Sequence, residues 1–137
     1  MVGIVVITHG ALAKELISAV NFVLSSKPSV KIAEVCLDPD REFDSFKQDI
    51  KNAIKKVKSK DGVLLVTDMF GGTPSNISLT FLDESKVEVI SGVNLPMLLK
   101  LATLSSKVTL KEAVKIAETA GKENIITASK LLQSRES

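Results

Sequence analysis

Residues 2–8 read Val-Gly-Ile-Val-Val-Ile-Thr and run directly into His9 and Gly10. A continuous β-branched run with no polar alternation is what a strand buried on both faces requires, as in a parallel sheet covered by helices. Outward from it the apolar period switches between helix and strand. Leu12, Leu16, Ala19, Val20 and Val23 recur at helical spacing, and that segment stops before Pro28. Residues 30–37 read as the second strand. Asp38-Pro39-Asp40 then turns the chain, with Asp40 the expected N-cap of a helix carrying Phe43, Phe46, Ile50, Ala53, Ile54 and Val57. Lys55, Lys56 and Lys58 crowd its end, where cations suit the helix dipole, and Gly62 follows. Residues 62–67 (GVLLVT) are the third strand, and Thr73-Pro74 leads into a helix over 75–82, with Thr as cap and Pro at the first helical position. Residues 87–91 read as a fourth strand and 95–104 as a helix. Thr109 and Glu112 form a capping box for a fifth helix that runs to Ala120 and ends at Gly121. Residues 124–128 suit a short last strand, and 134–137 a frayed tail.

This alternation predicts an α/β fold, a mainly parallel sheet with helices on both faces and right-handed crossovers. The 137 residues suit a single domain over 1–137, with 128–137 as a C-terminal tail. Hydrophobic residues at 45% and charged residues at 25% exclude disorder. The net charge of +2 and an aromatic content limited to five Phe argue against a nucleic-acid binder. One Cys, Cys36, makes neither an internal disulfide nor a zinc cage, and one His excludes any site needing two imidazoles. No apolar run reaches the roughly 20 residues of a membrane span, and no basic residue precedes the short apolar start, so a cytoplasmic location is expected. The lysine-rich stretch 47–60 reads as the solvated face of the second helix.

Ligands of open α/β sheets bind outside the carboxyl ends of the strands. Strand one delivers Thr8, His9 and Gly10 there; strand three delivers Asp68 and the run from Met69 to Thr73; strand four delivers Ser91 to Asn94. The sole imidazole thus leaves one strand where a neighbouring strand supplies a carboxylate. A carboxylate accepting the Nδ1 proton fixes the tautomer and frees Nε2 as a nucleophile. A lone His is more often incidental, and an Asp in this place serves equally as a turn or cap residue. Gly71-Gly72-Thr73-Pro74 brings backbone close to a ligand at a helix start, which favours an anion, above all a phosphate. Ordinary turn chemistry also uses such glycines. The segment is neither a P-loop nor GxGxxG, and no aspartate on strand one helps to assemble a magnesium cluster. A nucleophilic His, an orienting Asp and a metal-free phosphate cradle together suggest phosphoryl transfer through phosphohistidine, with no cofactor. The Arg-His-Gly turn of histidine phosphatases is excluded, because Thr8 stands where its arginine belongs and a second His is missing.

Three motifs in order, GIVVITHGALA at 3–13, DMFGGTPSN at 68–76 and GVNLPML at 92–98, make the chain resemble the IIA components of the mannose-type bacterial sugar phosphotransferase system through about Ala120. The resemblance implies a flavodoxin-like sheet in the order 2-1-3-4 and a homodimer exchanging a fifth strand, which gives 124–128 a purpose. It implies phosphorylation of His9 on Nε2, Asp68 as its hydrogen-bonding partner, and a hydroxyl at Thr73 near the phosphoryl group. The backbone around Gly71, Gly72, Thr73 and Ser75 would complete the anion site. Thr8, Gly10, Asn94, Leu95 and Met97 would shape the pocket, with ordinary helix core an equal alternative for Leu95 and Met97. The implied donor is phospho-HPr, charged by enzyme I from phosphoenolpyruvate. The implied acceptor is a IIB component, expected as a separate polypeptide, which serves the membrane IIC and IID components. Ser75 stands where many members carry a bulkier apolar or aromatic residue, which implies a changed rim toward partners. Two alternatives stay open: the phosphotransfer subunit of a dihydroxyacetone kinase, and a IIA-like regulatory module. The NLPML segment and Pro74 favour the transport branch over the first, and the length of the chain argues against the second.

Overall fold

The computed structural model describes residues 1–40 and 42–136. Its elements follow the order β1 (Gly3–His9), α1 (Leu12–Val23), β2 (Ile32–Leu37), α2 (Phe43–Val57), β3 (Val63–Thr67), α3 (Thr73–Leu79), β4 (Val87–Ser91), α4 (Leu95–Ala102), α5 (Leu110–Glu123) and α6 (Ala128–Glu136). The four strands form one sheet in the order β2-β1-β3-β4, and every pairing is parallel. The expected α/β architecture and strand order are therefore present.

Successive residues of a strand face opposite sides of the sheet, and β1 supplies both cores. Ile4 and Val6 join Leu64 and Val66 beneath α1, α4 and α5, where Val20, Leu101 and Ala117 are buried. Val5 and Ile7 join Leu65 on the other face, against Phe46, Ile50 and Val57 of α2 and Ile77 of α3. Burial on both sides explains why β1 and β3 read as unbroken apolar runs. Gly3 lies so close to the carbonyl of Val57 that a Cβ there would stand 2.2 Å from the oxygen. On α2 the buried stripe is Phe46, Ile50, Ala53, Ile54 and Val57, while Lys51, Lys55, Lys56 and Lys58 are exposed.

Several local expectations are corrected. The N-cap position of α2 is Glu42, not Asp40, because residues 39 and 40 are spent in the turn after β2. Gly72 occupies the N-cap position of α3, and Thr73 is its first helical residue, with no side-chain capping bond. Thr109 and Glu112 do form the capping box of α5. That helix continues past Gly121 to Glu123, because the glycine sits under α4: a Cβ there would come within 3.1 Å of Met97 Cε. Residues 124–128 form no strand in the single chain; Asn124 caps α5 and Ala128 opens α6. Ile125 and Ile126 are β-prone but pair with no strand edge, and β propensity expresses itself only where a neighbour is available. Residues 134–136, expected to fray, continue α6, and Ser137 lies outside the described residues. No described helix is long and apolar enough to cross a membrane.

Candidate functional site

From β1 the chain crosses to β2 on one side, and from β3 it crosses to β4 on the other, so the sheet order reverses between β1 and β3. A crevice opens above the carboxyl ends of strands at such a point. β1 ends there on His9, beside Leu37 of β2, and Asp68 is the first residue beyond β3. Asp68 Oδ2 accepts the backbone N–H of His9 at 3.0 Å and lies 2.8 Å from its ring Nδ1. Asp68 Oδ1 accepts the N–H of Met69 at 2.9 Å. Burial pushes the Asp68 carboxyl up, but the bonds from the His9 main chain and ring and from Met69 outweigh it and hold the group below the ordinary aspartate value. A carboxylate on Nδ1 places the ring proton there and leaves Nε2 unprotonated in the neutral imidazole.

The His9 side chain is 48% exposed, whereas that of Asp68 is 12% exposed. The imidazole thus meets solvent while the carboxylate it contacts is largely covered. Gly72 borders that edge: a Cβ at this position would lie 2.7 Å from His9 Cε1 and 3.2 Å from Nε2. Only a glycine lets this backbone pass under the ring as it stands. Gly71, with φ +96°, and Gly10, with φ +53°, occupy the left-handed region that glycine favours. Thr73 is exposed, and its hydroxyl makes no hydrogen bond among the described residues.

Other expected residues lie elsewhere. Thr8 is fully buried, with its hydroxyl directed at the start of α1, so it lines no pocket. Ser75 is buried as well, and its Oγ has no hydrogen-bond partner. The changed residue type at this position therefore falls inside the packing of α3 and not on a rim. Asn94 caps α4 by accepting the Met97 N–H at 3.0 Å and reaches the Gly121 carbonyl at 3.0 Å. Met97 is buried in the core and Leu95 packs against it, as the core alternative requires. Asn94 and Met97 border a groove beside β4, away from Nε2. Among the described residues no group of three His, Cys, Asp or Glu side chains stands close enough to hold a metal ion.

Two further arrangements escape a reading of the sequence. The steric role of Gly72 is hidden in a glycine pair that ordinary turns also use. The hydroxyls of Thr67 and Ser91 meet at 2.7 Å, and the Thr67 carbonyl accepts the N–H groups of Gly92 and Val93, fixing the end of β4 to the strand that carries Asp68.

Residues 3–118 match the family model described as the PTS system fructose IIA component, and this span covers most of the chain, including His9, Asp68 and Gly72. The chain belongs to this family. The mannose-specific EIIAB component of Escherichia coli (strain K12) is 29% identical over 126 residues, which is 90% of this chain. This chain spans only 38% of the length of that relative. The sorbose-specific EIIA component of Lacticaseibacillus casei is 29% identical over 112 residues, 81% of this chain and 79% of its own. Among solved structures, the PTS IIA protein associated with the fucose utilization operon of Streptococcus pneumoniae superposes with a TM-score of 0.81 at 25% identity, covering 96% of each chain. The fold and the family of IIA components thus agree with each other.

Proposed function

We propose that this IIA-family chain is a cytoplasmic phosphocarrier that accepts a phosphoryl group from phospho-HPr on Nε2 of His9 and passes it to a IIB component. The observation that carries the reading is the division of labour on one half-exposed imidazole: Asp68 engages Nδ1, and Nε2 faces the backbone of Gly72. The neutral ring attacks the donor's phosphorus through the Nε2 lone pair; the donor's N–P bond breaks as the new N–P bond forms. The ring gains positive charge, which the Asp68 carboxylate opposes at 2.8 Å. Transfer between two imidazoles is close to isoenergetic, so positioning and charge stabilisation meet its demands.

Around the incoming phosphoryl group, the backbone of Gly71, Gly72 and Thr73 and the free Thr73 hydroxyl are the available donors. Pro74 has no N–H, and the buried Ser75 adds no accessible hydroxyl, so this cradle is smaller than the sequence implies. Leu12, Met69 and Phe70 are exposed by 44%, 54% and 74%, and each follows His9 or Asp68 by at most three residues. Apolar side chains beside a reactive polar group suit docking of partner proteins that must surrender or receive a phosphoryl group away from bulk water.

A homodimer belongs to the same reading. β4 is an edge strand flanked by a groove of about 620 Å³ lined by Ile90, Ser91, Met97 and Ile125. Ile125 and Ile126, 80% and 57% exposed, supply an apolar segment that a second copy can cover. Sedimentation velocity is expected to give a dimer.

The acceptor is tested by mixing the phosphorylated chain with a purified mannose-type IIB protein and, separately, with the subunits of a dihydroxyacetone kinase. Transfer to the IIB protein is the expected result. Transfer to the kinase alone overturns the transport assignment.

A further inference from the structure

The residue before His9 performs a task that its neighbours cannot. Thr8 has no exposed surface, and its Oγ1 accepts the backbone N–H of Ala13 at 2.7 Å. Ala13 is itself fully buried and is the second residue of α1, where an N–H has no partner within the helix. The N-cap position belongs to Ala11, which makes no side-chain capping bond. Thr8 therefore supplies from five residues upstream the acceptor that the cap lacks.

That bond spans His9. Its donor and acceptor flank the imidazole along the chain, and Thr8 is anchored in β1, opposite Cys36 of β2. Within the loop it closes, the His9 N–H goes to Asp68 and the Gly10 N–H to the Leu37 carbonyl at 2.7 Å. Asp68 holds the ring and the N–H of His9 from the neighbouring strand, and the Thr8 bond ties the turn that carries them to the start of α1. The space between Gly72 and the imidazole is too small for a Cβ, and a shift of the main chain at His9 displaces Nε2 within it.

We propose that Thr8 is a positioning residue for phosphoryl acceptance, its hydroxyl holding the His9 main chain so that Nε2 stays over the Gly72 backbone. The proposal rests on the reading of His9 as acceptor. Replacing Thr8 by Val keeps the volume but leaves the buried Ala13 N–H without an acceptor, so the turn has to move to find one. Small displacements of a reacting atom are costly in rate.

The test uses Thr8→Val and Thr8→Ser in the full chain. One readout is the single-turnover rate of phosphoryl acceptance from phospho-HPr over a range of donor concentrations. The other is the nitrogen-15 resonances of the His9 ring, recorded with no donor present. Thr8→Val is expected to lower the saturating rate by ~10-fold or more, through misplacement of Nε2, and to shift the ring resonances while the donor concentration at half-saturation is unchanged. Thr8→Ser, which keeps the hydroxyl, restores both. Should Thr8→Val not fold, Thr8→Cys, whose thiol is a weak acceptor, replaces it with the same readouts. A folded Thr8→Val with wild-type rate and wild-type ring resonances, lowered only in melting temperature, reduces the hydroxyl to a helix cap and overturns the proposal. A wild-type chain that accepts no phosphate overturns instead the acceptor reading of His9.

Discussion

A single oxygen, Oδ2 of Asp68, holds both the backbone N–H and the ring Nδ1 of His9, at 3.0 Å and 2.8 Å. Main chain and tautomer are thereby fixed from one point on the neighbouring strand. Asp68→Asn keeps the shape but presents either a neutral oxygen or an N–H to the ring. It is expected to lower the rate of phosphoryl acceptance by ~10²–10⁴, the range for losing a positioned acid–base contribution. Rapid-quench kinetics with phospho-HPr measure it, and an unchanged rate returns Asp68 to a turn residue.

The same contacts set a pH dependence. Burial raises the Asp68 carboxyl, and the three hydrogen bonds from His9 and Met69 lower it by more, so its folded-state value lies below that of the unfolded chain. Such a group adds stability in full above the unfolded value of about 3.9, and the contribution disappears as pH falls through the lowered folded value. Carbon-13 titration of the Asp68 carboxyl should give a midpoint below that unfolded value. A midpoint above it contradicts the bonding described for the site.

Gly72 tests the space around Nε2. Gly72→Ala places a methyl 2.7 Å from His9 Cε1, and the ring has to leave its position against Asp68. Phosphoryl acceptance is expected to fall by ~10-fold or more from the misplaced nucleophile. The His9 ring resonances should shift in the same variant. Wild-type kinetics would show that the ring has room to spare.

The β-branched runs at β1 and β3 and the stripe from Phe46 to Val57 were legible in the sequence because burial on a fixed period leaves no other arrangement for so much apolar surface. The pairing of His9 with Asp68 was legible because parallel strands bring their carboxyl ends to one edge of the sheet, where ligand sites form. What escaped reading depends on tertiary distance. Gly121 looks like a helix stop and is a close-approach residue under Met97, while Gly72 looks like a turn and is a clearance beneath an imidazole. Thr8 looks like part of a pocket and is a buried acceptor for a helix whose cap position holds alanine. Ile125-Ile126-Thr127 has the composition of a strand, but within one chain no edge receives it.

Gly3 separates fold from chemistry. It lies at the opposite end of β1 from His9, with its Cα against the Val57 carbonyl. Gly3→Ala is expected to cost about 1–3 kcal/mol in unfolding free energy, as overpacking of a tight core does. Chemical denaturation measures the loss, and the folded variant should retain the wild-type rate of phosphoryl acceptance. A large fall in rate would couple the far end of the strand to the site.

His9 is the proposed carrier of the phosphoryl group. Wild type and His9→Ala are incubated with phosphoenolpyruvate, enzyme I and HPr, and their intact masses are compared before and after acid treatment. One acid-labile phosphoryl group is expected on wild type and none on a folded His9→Ala. Equal phosphorylation of the two proteins, or none on wild type beside a charged HPr control, contradicts it.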